Sequence, residues 1–232
     1  MILCLETATT LCSVALCEKD RVIVLRESDE DRSHASLLTV LIEEILRESG
    51  IRTSDLEAVA VSKGPGSYTG LRIGVSTAKG ISYASSIPLI AVDTTLSMYT
   101  GYISSLGKEY GLNSTDLFCP ALDARRMEVY YSVYGSNGEI VRSTRAEIME
   151  KGSFNDLPVS SRIFIFGNGA AKCREVLARG NIVFDSDFRL SASFMQKPAY
   201  EALTNKRFED VAYFEPFYLK DFLTSKPVKN IL

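Results

Sequence analysis

The sequence predicts an α/β protein built from two similar lobes. Three short apolar strands precede the first helix, and buried strands then alternate with helices, which is the order of a β-β-β-α-β-α unit. The second half repeats this order, and an acidic residue ends the first strand of each half, at Glu6 and at Asp123. The 232 residues accommodate two such units, each of about 110 residues and large enough to bury a core.

In the first half, apolar runs bounded by turn-forming residues predict the strands. The first helix has apolar residues at spacings of three and four and ends before Gly50, a residue suited to the position after a helix. A glycine-proline-glycine sequence breaks the fourth strand before the second helix. The predicted elements are strands Ile2–Leu5, Ser13–Cys17 and Val22–Leu25, helix Ser33–Ser49, strand Ala58–Val61, helix Tyr68–Ser85, strand Leu89–Val92 and a helix after Thr94.

The second half is predicted to contain strands Phe118–Asp123, Glu128–Tyr134, Ile140–Val141 and Ile163–Phe166, followed by helix Ala170–Ala178. Duplicated units of this order are typical of the actin/hexokinase-like (ASKHA) architecture, in which a nucleotide binds between the lobes. We therefore expect two lobes, residues 1–110 and 111–232, with the boundary near Gly107–Asn113. The final segment is a candidate to pack back on the first lobe.

Composition and charge exclude several classes of protein. With 26 basic and 29 acidic residues the net charge is −3, which does not suit a stand-alone nucleic-acid binder. The chain opens on an apolar strand without a basic start, and no run approaches the ~18 apolar residues of a membrane span. We expect a cytoplasmic protein with reduced, buried thiols at its five cysteines, Cys4, Cys12, Cys17, Cys119 and Cys173.

The turns of the two first hairpins form a candidate nucleotide site. The two carboxylates could orient Mg²⁺ through water across a cleft, while threonine hydroxyls and an arginine could bind phosphate. Threonine-rich turns and strand-end carboxylates are also routine structural features. We expect no tightly bound cofactor and, at most, weak binding of ATP or ADP with Mg²⁺. The candidate residues are Glu6, Thr7, Thr9 and Thr10 in the first turn and Asp123, Ala124 and Arg125 in the second.

Other catalytic arrangements lack the residues they need. His34 is the one histidine and stands at the start of a helix, which excludes a two-histidine metal site and is typical of a capping or interface residue. The cysteines lack zinc-ligand spacing. The loop Gly64–Gly70 matches neither a nucleophile elbow nor a Walker loop. It is either an anion-binding turn or a helix cap with Ser67 as N-cap.

Several stretches resemble one protein family. The sequence Gly64-Pro65-Gly66-Ser67-Tyr68-Thr69-Gly70-Leu71-Arg72-Ile73-Gly74, after strand Ala58–Val61, is similar to the signature of the TsaB (YeaZ) family. The opening Leu3–Ala8, the helix start Ser33-His34 and the stretch Leu122–Tyr130 resemble it as well. The resemblance is strong over residues 1–134 and faint afterwards, where Tyr218-Leu219-Lys220 resembles the family's closing motif.

The resemblance implies a role in making threonylcarbamoyl-adenosine beside the anticodon of tRNA. It implies a scaffold that pairs with a catalytic paralogue, TsaD, is joined by the ATPase TsaE, forms a homodimer when alone and reaches tRNA only through the complex. TsaD-type relatives carry a histidine-rich metal motif whose two ligands fall on Thr94 and Met98 of this sequence. Neither is a plausible ligand for iron or zinc, so we expect no metal and no catalytic residue. Tyr68 stands where many relatives have phenylalanine.

Two alternatives stay open at this point. A small-molecule kinase with an actin-like fold would use Glu6 or Asp123 as base beside a Mg-nucleotide. A protease, a label sometimes attached to this broad superfamily, is disfavoured by the single histidine and the absent metal ligands.

Two predicted helices offer a candidate partner surface. The first has a wide apolar face, and the second has small residues at four-residue spacing, which allow another helix to approach closely. The alternative is that both helices cover the sheet of their own lobe. The candidate interface residues are Leu37, Leu38, Leu41, Ile45, Gly70, Gly74, Thr77 and Ala78.

Overall fold

The computed structural model describes residues 1–29, 34–106, 110–177 and 179–219. It contains two five-stranded mixed sheets, with strand orders β3-β2-β1-β4-β5 and β10-β9-β6-β7-β8. In each sheet the first strand pairs antiparallel with the second and parallel with the fourth. The duplicated α/β architecture predicted from the sequence is confirmed.

The first lobe follows the predicted order. Its elements are β1 (Ile2–Glu6), β2 (Cys12–Glu18), β3 (Arg21–Ser28), α1 (His34–Ser49), β4 (Ala58–Gly64), α2 (Tyr68–Ser85), β5 (Leu89–Asp93) and α3 (Thr94–Ser105). Every residue of β1 is buried, because helices cover both faces of the sheet. Ser33, the predicted start of the first helix, lies outside the described residues.

The second lobe contains more regular structure than the sequence predicts. Its elements are β6 (Leu117–Asp123), β7 (Glu128–Gly135), β8 (Ile140–Ile148), β9 (Ile163–Phe166), α4 (Ala170–Val176), β10 (Ile182–Asp185) and α5 (Gln196–Thr204), with a 3₁₀ turn at Ala192–Met195. Three of these, β10, the 3₁₀ turn and α5, were not predicted, and β8 is longer than expected. Gly107, Ala178 and Lys220, named in the predictions, lie outside the described residues.

An aromatic cluster fills the space between the lobes. Tyr102 of α3 stacks on Phe166 of β9 with ring centroids 3.8 Å apart, and Phe118 stacks on Phe164 at 5.1 Å. Ala8 of the first hairpin turn packs in the same cluster. These contacts join α3 and the first hairpin turn to the second sheet.

The chain returns to the first lobe after β10. The side chains of Met195 and Ala199 pack against the face of the first sheet that carries Ile2 and Cys4. Beyond α5, the Glu209 N–H donates to the Leu89 carbonyl at 2.9 Å, along the edge of that sheet.

The segment 209–219 then crosses α2. Lys79 donates to the carbonyl of Phe214 at 3.0 Å, and the rings of Tyr68 and Tyr218 lie 4.7 Å apart.

All five cysteines are free and buried, as predicted. Within the described ranges, no helix is both long and apolar enough to cross a bilayer.

Candidate functional site

The first hairpin turn is held by a fully buried carboxylate. Glu6 ends β1 with no exposed surface, and its Oε1 accepts the Ala8 N–H at 2.7 Å. Its Oε2 accepts the hydroxyl of Ser62, at the end of the neighbouring strand β4. Both oxygens are thus engaged by neutral donors inside the lobe, and Glu6 does not face the cleft as the sequence suggested.

Burial controls the ionisation of this carboxyl. Loss of hydration raises the pKa of Glu6 from 4.5 to about 7, although the hydrogen bonds from Ser62, Ala8 and Thr7 act in the opposite direction. Desolvation disfavours the charged form, and no cation compensates it here. The group is therefore partly protonated near neutral pH.

Three glycines, one just before α2 and two within it, are required by this turn. A Cβ on Gly66 would lie 2.6 Å from the Ala8 carbonyl oxygen, and one on Gly70 would overlap the Thr7 carbonyl oxygen. One on Gly74 would overlap the Thr7 hydroxyl. The glycine stripe therefore accommodates the turn of its own lobe.

The start of α2 is a helix cap. The Ser67 hydroxyl accepts the Gly70 N–H at 3.2 Å, which confirms Ser67 as the N-cap residue. The Ser67 N–H donates to the Ala8 carbonyl at 2.7 Å, so the cap is also bonded to the turn. Of the turn's remaining threonines, Thr9 is half-buried and Thr10 is exposed.

The second hairpin turn carries an exposed carboxylate with a resident cation. Asp123 Oδ1 accepts the Arg125 N–H and the Lys172 ammonium, both at 2.6 Å. The Asp123 N–H donates to the side chain of Asn168 at 3.0 Å. Arg125 and Arg126 have φ angles of 67° and 50°, the left-handed region that costs a non-glycine residue free energy.

The partners of the two carboxylates, Ser62, Lys172 and Asn168, were not predicted from the sequence. Asn168 stands between two glycines directly after the predicted strand Ile163–Phe166, and Lys172 follows it by four residues. A signal for both was therefore present. Ser62 carries no such signal, since its contact with Glu6 joins two strands 56 residues apart.

The sequence of this chain is similar to that of known proteins. Residues 28–155, more than half of the chain, match the family model described as TsaD: tRNA N6-adenosine threonylcarbamoyltransferase. The tRNA threonylcarbamoyladenosine biosynthesis protein TsaB of Escherichia coli (strain K12) is 35% identical over 133 residues, 57% of this chain and 54% of that protein. The chain thus spans about half the length of this relative.

Two further matches cover nearly the whole chain. TsaB of Haemophilus influenzae is 28% identical over 97% of this chain and 95% of its own length. The solved structure of YeaZ from Pseudomonas aeruginosa has a TM-score of 0.79 at 24% identity, covering 94% of this chain and 99% of that one. The chain belongs to the TsaB (YeaZ) family.

The two positions at which the resemblance to TsaD-type relatives would place metal ligands are packed in this chain. Thr94 has no exposed surface, and Met98 is 1% exposed within the aromatic cluster between the lobes. Across the described residues, no group of three histidine, cysteine, aspartate or glutamate side chains is arranged to bind a metal ion.

The structure corrects the predicted TsaB partner surface. Leu38 and Ile45 of α1 and Ala78 of α2 are completely buried in the first lobe. Gly70 and Gly74 contact the hairpin turn, and Leu37 and Leu41 belong to the same core. These side chains cover their own sheet, because the two helices bury their apolar faces against it. Thr77 alone in the predicted set is partly exposed.

Proposed function

We propose that this chain is a non-catalytic partner subunit of the bacterial complex that makes threonylcarbamoyl-adenosine beside the anticodon of tRNA. It would pair with a TsaD-type transferase in the cytoplasm and be joined by a TsaE-type ATPase. The observation that carries this proposal is the pair Thr94 and Met98, buried in a chain that otherwise matches a TsaD-type model over residues 28–155. The fold is kept while the side chains needed for metal chemistry are replaced.

The two hairpin turns support weak nucleotide binding rather than turnover. Glu6 is buried, and Asp123 already pairs with Lys172, so neither carboxylate is arranged to hold Mg²⁺ or to act as a base in the cleft. This argues against the kinase alternative. ATP or ADP bound at the second turn would use Arg125, and we expect its affinity to be no tighter than about micromolar.

Pairing with a TsaD-type protein would use the outward face of α1 and α2. Val40 is 47% exposed and Tyr83 is 82% exposed. Thr77 is partly exposed, and a Cβ on Gly80 would meet no atom within 4 Å. Exposed apolar and aromatic side chains of this kind are typical of interfaces. Two proteins of similar fold can meet through equivalent faces, as homodimers do, which also explains the homodimer expected without the partner.

Reconstitution tests the proposed role. The TsaD-type and TsaE-type proteins of the same host would be incubated with unmodified tRNA, with and without this chain. We expect modification to require this chain, and we expect this chain alone to modify no tRNA and to turn over no ATP. Modification at an unchanged rate without it, or phosphoryl transfer to a small molecule by it alone, would contradict the proposal.

The substitution Thr77→Arg tests the surface. A bulky charge on the outward side of α2 should weaken pairing by roughly 30-fold or more, equivalent to about 2 kcal/mol. Thr204→Arg on α5 is the matched control and should pair as the unaltered protein does. Both variants should keep a cooperative thermal transition, and equal affinity of Thr77→Arg and the control would exclude this face.

A further inference from the structure

A cavity of about 390 Å³ lies between β3 and the segment that returns from the second lobe. Its volume falls within the ~300–1,000 Å³ range of small-molecule sites. The predicted nucleotide turn ends just before it, at Thr10, and neither hairpin carboxylate lines it. Its apolar wall is formed by Leu11, Leu25 and Phe194, and its charged rim by Glu27, Asp29 and Arg189.

The rim carries opposite charges in contact. Arg189 Nη2 lies 2.9 Å from Asp29 Oδ2, and the two side chains are 58% and 65% exposed. An ion pair exposed to this extent contributes little to stability, because water screens it. A ligand that supplies one group of each charge can therefore replace the pair without a large penalty.

Hydrogen bonds hold several polar side chains that line the cavity. Glu27 Oε1 accepts the Ser13 hydroxyl at 2.8 Å, and that hydroxyl in turn accepts the Ala192 N–H at 2.9 Å. Ser191, 7% exposed, has its hydroxyl 2.7 Å from that of Ser193. The bond from Ser13 holds Glu27 Oε1, and the Glu27 side chain lines the same cavity as Asp29 and Arg189.

We propose that this cavity binds a small zwitterion of the free amino acid class. Arg189 binds the carboxylate through its planar guanidinium, which is suited to a bidentate contact. Glu27 and Asp29 bind the ammonium, and the side chain lies on Leu11, Leu25 and Phe194. A simple anion is disfavoured because the carboxylates of Glu27 and Asp29 outnumber the single guanidinium of Arg189. A simple amine is disfavoured because it takes Asp29 from Arg189 and offers that arginine no new partner.

Three probes of one carbon skeleton test this assignment. L-leucine carries both charges, 4-methylpentanoate lacks the ammonium, and 3-methylbutylamine lacks the carboxylate. Ligand-observed NMR and calorimetry on the full chain should show L-leucine binding with a dissociation constant of roughly 1 mM, as expected for so small a ligand. Each single-charge analogue should bind at least about tenfold more weakly.

Variants at the rim locate the site. Arg189→Gln and Glu27→Gln should each weaken L-leucine binding about tenfold or more, whereas Arg207→Gln, an exposed arginine outside the cavity, should not change it. An unchanged thermal midpoint shows that the variants are folded. The proposal is overturned if L-leucine does not bind, if either analogue binds equally well, or if both rim variants bind as the unaltered chain does. None of these outcomes depends on the role proposed in tRNA modification.

Discussion

The two lobes share one strand order but differ in what covers the sheet between the third and fourth strands. In the first lobe the cover is α1, whose Leu38 and Ile45 are completely buried. In the second lobe residues 149–162 contain turns and no helix, and Phe154 supplies the buried anchor. A sheet needs apolar cover, and either a helix or an anchored turn segment can provide it.

The second lobe's segment is held by arginine side chains in addition to its apolar anchors. Arg142 donates to the Tyr131 hydroxyl at 2.9 Å and pairs with Asp156. Arg179 donates to the carbonyls of Phe154 and Leu157. The two Arg179 bonds satisfy backbone carbonyls that a helix would satisfy internally.

The first hairpin turns of the two lobes also differ, in how each holds its carboxylate. Glu6 is buried among neutral donors and packed on a glycine face, whereas Asp123 is exposed and paired with Lys172. Glu6 and Asp123 occupy equivalent positions of a duplicated fold, but their environments differ. Glu6 is removed from water without a cation beside it, whereas Asp123 is paired with a lysine. Four substitutions would break or sharpen this contrast.

The largest effect is expected at the glycine face of the first turn. Gly70→Ala places a methyl carbon where it overlaps the Thr7 carbonyl oxygen. Neither the hairpin turn nor the start of α2 can move away without breaking the helix cap. We expect a loss of about 4 kcal/mol in the free energy of unfolding, measured by chemical denaturation.

Gly80→Ala on the same helix is the matched control. Its added methyl group meets no atom within 4 Å, so the higher helix propensity of alanine should stabilise the chain by up to ~1 kcal/mol. Equal effects of the two substitutions would show that the turn does not pack on α2.

Removal of the second lobe's anchor should come next. Phe154→Ala deletes a ring that is 1% exposed and packs edge-on against Tyr131, and a loss of about 3–4 kcal/mol is expected. Val159→Ala in the same segment, at a side chain 79% exposed, should change stability by less than ~0.5 kcal/mol. If Phe154→Ala were equally mild, the segment would not be an essential cover of the sheet.

The pH dependence of stability isolates Glu6. Its folded pKa of about 7 exceeds the ordinary 4.5, so its stabilising contribution is complete below pH 4.5 and is lost as pH rises towards 7. The 2.5-unit difference corresponds to roughly 3 kcal/mol. Relative to the unaltered chain, Glu6→Gln should therefore gain stability between pH 4.5 and pH 8.

Denaturant unfolding of both proteins across that pH range measures the difference. Glu43→Gln, at an exposed position of α1, is the matched control for the loss of a surface carboxylate. A Glu6→Gln profile parallel to that of the unaltered chain would mean that Glu6 ionises as an ordinary carboxyl.

The smallest effect is expected at the second turn. The side chains of Lys172 and Asp123 are 20% and 40% exposed, and solvent screens pairs of this kind. Lys172→Met should cost no more than ~1 kcal/mol, checked by thermal unfolding against Lys197→Met on α5. A loss comparable to that of Gly70→Ala would make this turn a structural core like the first.

Local patterns were sufficient for much of the fold. The apolar runs predicted β1 to β5, and the spacing of Leu38, Leu41 and Ile45 predicted α1. The short strand β10 and the nine-residue helix α5 were missed. Their apolar patterns are short or interrupted, and their stability comes from contacts with distant strands.

The sequence by itself determined the order of elements along the first lobe and the family, because these depend on neighbouring residues and on a long local motif. The tertiary structure alone decided which way the apolar and glycine faces point. A four-residue glycine spacing is the same whether a second helix or a hairpin turn packs on it, and only the contacts of Thr7 and Ala8 distinguish the two. The character of each carboxylate was likewise decided by burial and by partners 49 to 56 residues away.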